Sequence, residues 1–387
     1  MLKSIEVRGN FRAKKNILCV ERSLFEKDVD ELSYRIRKYG WVWLKKSQLT
    51  VYQDKLIPKK YRGQMDYLKH LDKIPNEWNE CIKKSKILLQ RFKNEKKICA
   101  LLLANLDYWQ NYALQVACKD LGIPVIVLQK EYSYNLQHNE YFKDYYKDFT
   151  PITDAIMVLG PRMKSCLSQL KGFDEKKIFV TGAPRIDRWR SIEPFEKLNE
   201  GLLIISFNIK ERHSPEEKFY DMVECISSYV KKQNLGDITI KCRSEIESSK
   251  LINFCKKEKL DNINVLYNAN IYDLVLQSKV VIGYNSLAII ESMFSKVPII
   301  IPDWFIEDKN KKMFDSNDEI CSKSVELCKN KEHLLENVGQ FLKNDNSQIS
   351  NEAFEARKKF ISNFWEYNPQ ITACSNVQNV IDRVIKN

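Results

Sequence analysis

Short apolar runs of four to seven residues alternate with longer amphipathic stretches along most of this chain. Runs of this length that are rich in Ile and Val are typical of strands buried on both faces of a parallel sheet. The pattern predicts two series of strands. The first series covers residues 17–20, 98–104, 125–128, 155–159 and 178–181, and the second covers 202–207, 238–242, 264–267, 280–283 and 297–301.

Helix signals lie between these strands. A glycine and a proline, Gly122 and Pro124, follow an amphipathic stretch over 112–121 and end that helix. Ser214 and Pro215 are an N-cap residue type and a proline at the first helical position. Further helices are predicted over 216–232, 287–294, 351–365 and 376–385. The repeated strand–helix–strand order predicts an α/β protein with parallel sheets and right-handed crossovers.

A polar segment around 189–201 interrupts the periodicity, and we place a linker there. We therefore expect an N-terminal Rossmann-like domain over 1–190 and a second one over 191–345. C-terminal helices over 346–387 would pack back across the cleft between them. Two domains of this kind usually bind a ligand outside the carboxyl ends of their strands. The first ninety residues are rich in Lys and aromatic residues with weak periodicity, and no elements beyond strand 17–20 are predicted there.

Composition narrows the classes of partner. The chain of 387 residues has 63 Lys and Arg against 51 Asp and Glu, a net charge of +12, which favours nucleic acid, a phosphate-bearing substrate or a membrane surface. A hydrophobic content of 44% excludes a disordered chain. Eleven cysteines without a CxxC pair indicate buried, reduced thiols. With neither a leader nor an eighteen-residue apolar stretch, we expect a cytoplasmic protein.

The most informative segment covers residues 280–292. A buried strand ends at Gly283, and a helix is predicted to begin near Ser286. Asn285 and Ser286 are N-cap residue types, and the first N–H groups of a helix have no partner within it. Such a helix start favours a phosphate, while Glu291 lies one to two turns further on, within reach of a sugar hydroxyl. The alternative is an ordinary capped turn between a strand and a helix.

This segment reads strand-G-x-N-S-x-x-x-x-E-S-M-x-x-x-x-P-I-I, which resembles the C-terminal half of GT-B glycosyltransferases. It is most similar to bacterial surface-carbohydrate and capsule-polysaccharide transferases, with nucleotide-sugar 2-epimerases and CDP-glycerol glycerophosphotransferases as relatives. The resemblance implies two Rossmann-like domains facing a central cleft, and transfer of a sugar from a CMP- or UDP-linked donor to a glycan or lipid-linked acceptor. It also implies that Asn285 and Ser286 meet the donor phosphate, and that Glu291 holds donor hydroxyls.

A second matching segment, V-T-G-A-P-R-I-D over 180–187, closes the N-terminal sheet in this group before the chain crosses to the second domain. Gly182 permits an unusual backbone angle and Pro184 stiffens the turn. We interpret the segment as a structural hinge, in which Asp187 pairs with Arg185 or caps the next helix.

A third segment ends the strand over 238–242. Relatives often have I-[RK]-x-H-P-x-E there, and the histidine contacts the nucleotide phosphate in transferases that use CMP-activated sugars. This chain keeps Lys241, Ser244 and Glu245 but has Cys242 and Arg243 in place of His-Pro. Arg243 can replace the histidine as a permanent cation that binds phosphate bidentately. The alternatives are a different donor or a catalytically silent relative.

Cations are also needed where the nucleotide leaves. Lys210 and Arg212 lie in a polar loop after the strand over 202–207, and either can neutralise the departing diphosphate. The alternative is an ordinary solvated loop. Transferases resembling this chain commonly use no metal. No HExxH spacing and no DxD triplet after a strand occurs in the sequence, and we expect neither a metal nor a cofactor, since the nucleotide-sugar is a co-substrate.

The acceptor side depends on carboxylates after strands of the first series. Glu131 follows the strand over 125–128, and Asp107 follows the strand over 98–104. Either carboxylate can take the proton of an acceptor hydroxyl as a general base.

Three functions therefore compete. The first is a glycosyltransferase, whose basic clusters at Lys45, Lys59 and Lys83 would hold an anionic glycan or contact an anionic membrane at its inner face. The alternative for each cluster is a solvated basic surface. The second is a sugar-nucleotide 2-epimerase or polyol-phosphate transferase on the same fold. The third is a basic nucleic-acid-binding protein, which steeply salt-dependent binding to random oligonucleotides would indicate. The chain has no recognisable nucleic-acid-binding module, so we favour the first.

Overall fold

A computed structural model describes residues 6–22, 24–62, 65–129, 143–147, 149–191, 201–206, 216–284, 286–305, 313–314, 317–344, 348–362, 365–366, 368 and 370–386. These residues form two compact units. Unit 1 comprises the described residues up to 188 and those from 365 onward, and unit 2 comprises the described residues from 189 to 362.

The described part of unit 1 contains a seven-stranded sheet in the order β1-β3-β2-β4-β5-β6-β7. Strand β1 runs antiparallel to β3, and all the other neighbouring pairs are parallel. The strands are β1 (Glu6–Gly9), β2 (Asn16–Val20), β3 (Gly40–Leu44), β4 (Ile98–Leu103), β5 (Val125–Leu128), β6 (Ala155–Val158) and β7 (Ile178–Val180).

Helices cover the sheet of unit 1, and one of them comes from the C-terminal end of the chain. Five of them are α1 (Phe25–Arg35), α2 (Lys46–Leu56), α3 (Pro75–Lys96), α4 (Trp109–Asp120) and α5 (Pro161–Ser168). The sixth is the last described helix of the chain, α13 (Ala373–Lys386). Helix α13 buries Cys374, Val377 and Ile381 in the same core as the β2, β4 and β5 strands. The hydrophobic core against the sheet of unit 1 is therefore complete only when the last helix of the chain packs on it.

Unit 2 contains a six-stranded parallel sheet in the order β10-β9-β8-β11-β12-β13. Its strands are β8 (Leu202–Ile205), β9 (Ile238–Lys241), β10 (Ile263–Leu266), β11 (Val280–Ile282), β12 (Ile299–Pro302) and β13 (Glu326–Cys328). Its helices are α6 (Glu216–Lys232), α7 (Glu245–Lys257), α8 (Ile271–Leu276), α9 (Leu287–Ser292), α10 (Glu319–Ser324), α11 (Lys331–Lys343) and α12 (Asn351–Ser362).

A buried arginine fixes α12 to unit 2. The guanidinium of Arg357 is fully buried and donates hydrogen bonds to the carbonyls of Ser295 and Val297, both at 2.8 Å, and of Ser324 at 2.8 Å. Burial lowers the pKa of Arg357 to about 9, because the charged form is desolvated. The segment that we expected to form one C-terminal group is thus shared: α12 belongs to unit 2 and α13 to unit 1.

Each sheet has a position where the strand order reverses. In unit 1 the chain leaves β2 toward β3 and then returns to the other side of β2 with β4. In unit 2 the first strand, β8, lies between β9 and β11. Open parallel sheets bind ligands at the carboxyl ends of the strands that flank such a switch point. The fold therefore singles out the ends of β2 and β4 in unit 1, and of β8 and β11 in unit 2.

Each of the ten predicted strands has a counterpart among the described residues, so the α/β prediction is confirmed. The sequence interpretation missed three strands, β1, β3 and β13. It also named none of the helices α1 to α3, α5, α7, α8, α10 and α11. Helix α3 carried a usable signal, because its buried residues recur at helical spacing: Trp78, Cys81, Ser85, Leu89 and Phe92. Residues 192–200, at the centre of the expected linker, lie outside the described residues.

Candidate functional site

The carboxyl ends of three neighbouring strands form the candidate site of unit 2. Ile204 of β8 pairs with Ile282 of β11, and Ile205 pairs with Lys241 of β9. The residues that follow these strands therefore lie along one edge of the sheet, at its switch point. This edge carries Ser206, Cys242 and Gly283, each one residue beyond a strand.

Gly283 lets the chain turn tightly into α9. A Cβ atom built on Gly283 would lie 2.4 Å from Cδ1 of Ile289 and 3.0 Å from its Cγ1. Ile289 is fully buried, so its side chain has little room to move away. The glycine is thus required by the close approach of α9 to the end of β11.

Ser286 is the N-cap of α9, as the sequence predicted for a residue of its type. Its Oγ accepts a hydrogen bond from the N–H of Ala288 at 3.3 Å, and its carbonyl accepts one from Ile289 at 3.0 Å. We expected the first N–H groups of this helix to lack an internal partner, and this is wrong for the N–H groups of Ala288 and Ile289. Helix α9 has only six residues, so its dipole is small. The group that Ser286 itself offers a ligand is its hydroxyl hydrogen.

Glu291 lies on the second turn of α9 and is 4% exposed. We expected it to hold donor hydroxyls, but its carboxylate is almost closed off from solvent. Asn285 lies outside the described residues, as do Lys210 and Arg212. Of the residues assigned to the donor phosphate in this segment and the loop after β8, the structure describes Gly283, Ser286 and Glu291.

Cys242 and Arg243, which stand after β9 where relatives have His-Pro, differ in their exposure to solvent. Cys242 is fully buried, which raises the pKa of its thiol to about 12, whereas the side chain of Arg243 is exposed. Lys241 directs its Nζ back to the carbonyls of Cys242 and Tyr267, both at 2.7 Å. Ser244 caps α7 by accepting a hydrogen bond from the N–H of Glu247 at 3.2 Å. Arg243 is therefore the more exposed of the two cations at this strand end, since Lys241 is half-buried.

Unit 1 places the second candidate base at the edge of its own sheet. Asp107 follows β4, is 6% exposed and accepts a hydrogen bond from the hydroxyl of Tyr145 at 2.5 Å. Glu131, the first candidate, lies outside the described residues. The sequence interpretation missed one charged residue of this edge, Arg22, which lies two positions beyond β2 and is 9% exposed. Its position after a buried strand was the available signal.

The V-T-G-A-P-R-I-D segment makes contacts within unit 1. Gly182 has φ of +77°, and a Cβ there would lie 2.9 Å from the carbonyl oxygen of Glu366. Pro184 begins a 3₁₀ segment over Pro184–Ser191. Arg185 forms a buried ion pair with Asp28 at 2.7 Å, while the carboxylate of Asp187 accepts hydrogen bonds from the first residues of α13. Asp187 therefore caps a helix, although it is the last helix of the chain rather than the next one.

Three further features bear on the expected partners. Among the described residues, no group of three or more His, Cys, Asp or Glu side chains is arranged to hold a metal ion. In the same residues, no helix has both the length and the hydropathy needed to cross a bilayer. The basic clusters are exposed at Lys45, Lys59 and Lys83.

All eleven cysteines are free, and nine of them are buried, as predicted.

Comparison with known proteins identifies the fold. No protein-family model matches the chain, and no curated protein matches it in sequence. Among solved structures, a Staphylococcus aureus MnaA–UDP complex aligns with a TM-score of 0.56 at 13% identity, over 96% of this chain and 97% of that one. A glycosyltransferase from Rickettsia africae aligns with a TM-score of 0.55 at 13% identity, over 97% and 100%. A UDP-GlcNAc 2-epimerase from Neisseria meningitidis bound to UDP-GlcNAc aligns with a TM-score of 0.52 at 13% identity, over 96% and 100%. The chain therefore has the GT-B fold, as the resemblance of its C-terminal motif implied.

Proposed function

We propose that this protein is a glycosyltransferase that takes a sugar from a CMP- or UDP-linked donor and passes it to a glycan or lipid-linked acceptor in surface polysaccharide biosynthesis. The observation that carries the proposal is the position of Gly283 and Ser286. Gly283 directly follows β11, which lies beside β8 at the switch point of the sheet in unit 2, and Ser286 is the N-cap of α9. Ligands of open parallel sheets bind at such points.

Two side chains at this edge suit the nucleotide phosphate. The hydroxyl of Ser286 can donate to a phosphate oxygen while its Oγ continues to accept from Ala288. Arg243 supplies a permanent cation with a planar fork of donors, which binds phosphate bidentately. Because Cys242 is buried, Arg243 takes over the exposed position that a phosphate-binding side chain requires. Lys210, Arg212 and Asn285 are further proposed contacts.

The reaction requires a base for the acceptor. In the proposed step, Glu131 or Asp107 takes the proton of an acceptor hydroxyl, whose oxygen forms a bond to the anomeric carbon of the donor. The bond from that carbon to the nucleotide phosphate breaks, and the nucleotide leaves with the bonding electrons. Arg243 stabilises the negative charge on the departing phosphate. The proposal includes no metal and no resident cofactor.

Epimerisation is the second candidate, and the structural neighbours favour it as much as transfer, since one is a UDP-GlcNAc 2-epimerase. Inversion at C2 requires the C2–H bond to break and form again. Incubation with UDP-GlcNAc in D₂O without an acceptor would therefore introduce deuterium at C2 if the protein is an epimerase. A transferase leaves C2 unlabelled and releases UDP or CMP only when an acceptor is present.

The nucleotide site is tested by thermal stability in the presence of CMP, UDP and CDP. A nucleotide at a hundred times its Kd stabilises a folded protein by about 2.7 kcal/mol. We expect at least one of the three to raise the melting temperature. If none does so at millimolar concentration, the proposed donor site is wrong.

Variants then locate the bound nucleotide. We expect Ser286→Ala and Arg243→Ala each to weaken binding roughly tenfold, the loss of one hydrogen bond to a charged group. Ser249→Ala and Lys256→Ala, both on exposed positions of α7, are the matched controls and should leave affinity unchanged. Unchanged affinity in both site variants would remove the phosphate assignment.

Peripheral contact with an anionic membrane is a separate part of the proposal. It is supported by the exposed clusters Lys45-Lys46, Lys59-Lys60 and Lys83-Lys84. Cosedimentation with vesicles that contain phosphatidylserine, compared with neutral vesicles, tests it. Binding that is equal for both vesicle types would contradict it.

A further inference from the structure

We infer that the carboxyl edge of the sheet in unit 1 binds the anionic group of a polyhydroxylated acceptor, with Arg22 as its anchor. This inference rests on the proposed function, because it assigns the acceptor to unit 1. It adds a substrate class: an acceptor that carries both a carboxylate or phosphate and free hydroxyl groups.

Three polar residues form a row just beyond the carboxyl ends of three neighbouring strands. Cys19 of β2 pairs with Leu102 of β4, and Arg22 and Asn105 each lie two residues beyond the end of their strand. Leu103 of β4 pairs with Val127 of β5, and Gln129 is the first residue after β5. The row crosses the ends of β2, β4 and β5, and β2 and β4 flank the switch point of this sheet. The topology therefore gathers these side chains where a ligand of a parallel sheet binds.

Arg22 is a buried cation whose hydrogen bonds are incomplete. Its Nη2 donates to Oε1 of Gln110 at 3.2 Å, and its guanidinium lies 4.8 Å from the ring centre of Tyr108. Among the described residues, its Nε has no hydrogen-bond partner and no carboxylate forms an ion pair with it. The adjacent Glu21, whose negative charge also acts on Arg22, accepts a hydrogen bond from the N–H of Lys46 at 2.7 Å. A buried guanidinium with an unused N–H donor and no ion-pair partner can be stabilised by an anion that binds from outside the chain.

The other two members of the row need donors. In the described structure, Oδ1 of Asn105 and Oε1 of Gln129 are buried and accept no hydrogen bond. Gln129 is 6% exposed. Hydroxyl groups of a bound molecule would satisfy both oxygens, whereas a simple inorganic anion would leave them unpaired. The combination of one cation and two acceptors therefore selects a sugar acid, a sugar phosphate or a polyol phosphate.

Calorimetric titration of the full chain with matched ligands tests this inference. The two charged probes are N-acetylglucosamine 6-phosphate and glucuronate, and their neutral counterparts are N-acetylglucosamine and glucose. We expect a charged probe to bind at least tenfold more tightly than its neutral counterpart, and the tighter of the two charged probes identifies phosphate or carboxylate as the preferred group. Equal affinity of charged and neutral sugars, or no binding of either charged probe at millimolar concentration, overturns the inference.

Two variants assign the binding to Arg22. Arg22→Gln should reduce the affinity for the charged probe to that of its neutral counterpart, whereas Arg91→Gln, on an exposed position of α3, should leave it unchanged. Gln110→Glu places a carboxylate within hydrogen-bond distance of Arg22, so it should raise the melting temperature while it removes the affinity for the anion. A purely structural role for Arg22 predicts no loss of anion binding in the Gln110→Glu variant. Retained affinity in either Arg22→Gln or Gln110→Glu overturns the assignment.

The nucleotide titration separates this inference from the proposed function. If CMP, UDP and CDP fail to bind while a charged sugar binds through Arg22, the anion site stands and the transferase proposal fails. If a nucleotide binds normally to the Arg22→Gln variant and no charged sugar binds the unaltered protein, only the anion site fails.

Discussion

The carboxylate of Asp187 caps a helix that begins at Ala373, 186 residues later in the chain. Its Oδ1 accepts the N–H of Ala373 at 2.9 Å, and its Oδ2 accepts the N–H of Cys374 at 2.8 Å. Both groups are buried, and a negative charge at this end of α13 also complements the helix dipole. The segment that ends the sheet of unit 1 is thereby fixed to the last helix of the same unit.

Replacement of Asp187 should destabilise unit 1. In Asp187→Ala two buried N–H groups lose their acceptor, and we expect the free energy of unfolding to fall by about 2–4 kcal/mol. Urea denaturation followed by circular dichroism measures this change. The matched control is Asp120→Ala, which removes an exposed carboxylate 3.3 Å from Lys86 and should cost no more than about 1 kcal/mol. Equal effects of the two variants would show that the cap contributes nothing.

The ion pair of Arg185 and Asp28 should behave as a buried pair. Its members are 3% and 0% exposed, and the backbone N–H of Arg185 also donates to Asp28 at 3.0 Å. Arg185→Met leaves a buried carboxylate without its cation, which should cost about 3–5 kcal/mol. The double variant with Asp28→Asn should recover much of that loss, because the asparagine oxygen can still accept the backbone N–H. A double variant less stable than Arg185→Met would contradict this account.

The close contact at Gly283 predicts a rescue experiment. Gly283→Ala should cost about 1–3 kcal/mol, because its methyl group would overlap Cδ1 of the buried Ile289. Adding Ile289→Val removes that carbon and should restore part of the stability and, with it, nucleotide affinity. Thermal denaturation with and without the nucleotide measures both effects. If Ile289→Val adds its own destabilisation without any rescue, the overlap is not the cause.

The buried thiol of Cys242 predicts a pH dependence. Burial raises its pKa from 9.0 to about 12, so the unfolded chain loses this proton at lower pH than the folded protein does. The stabilisation is present below pH 9 and is lost as the pH rises toward 12. Cys242→Ala should therefore reduce the decline in unfolding free energy between these values by up to about 1.4 kcal/mol per pH unit.

The control for this effect is Cys225→Ala, at a half-buried position on α6. The pKa of Cys225 is also raised by burial, but less strongly, so its removal should change the slope less. Urea denaturation at a series of pH values measures both variants. Identical slopes for Cys242→Ala and the unaltered protein would contradict a buried, protonated thiol.

Sequence patterns predicted ten of the thirteen described strands, because most buried strands carry their signal within a few consecutive residues. Val280–Ile282 and Ile299–Pro302 are examples in which almost every residue faces the core. Strand β3 (Gly40–Leu44) is equally buried but was missed, since its two tryptophans lie in a segment without helices or turns that could be recognised around it. The fold class therefore followed from periodicity even though the beginning of unit 1 was not interpreted.

The candidate site was predicted less completely. The N-cap at Ser286 and the glycine at Gly283 are local features, and the structure shows them where the sequence indicated. The burial of Cys242 and the exposure of Arg243 depend on how β9 continues beyond its last ladder residue, which no motif specified. The incomplete hydrogen bonds of Arg22 were also hidden, because they depend on side chains from α4 and on the order of the strands.

By itself, the sequence determined the alternation of strands and helices, the basic charge and the turn that follows β11. These properties are encoded by neighbouring residues, so they can be read without knowing how the chain closes on itself. Only the tertiary structure decided that Asp187 caps α13, that Arg185 pairs with Asp28 and that Arg22 lies in a row with Asn105 and Gln129. Contacts between distant residues depend on strand order and on which groups are removed from water together, and many arrangements are compatible with the same local pattern.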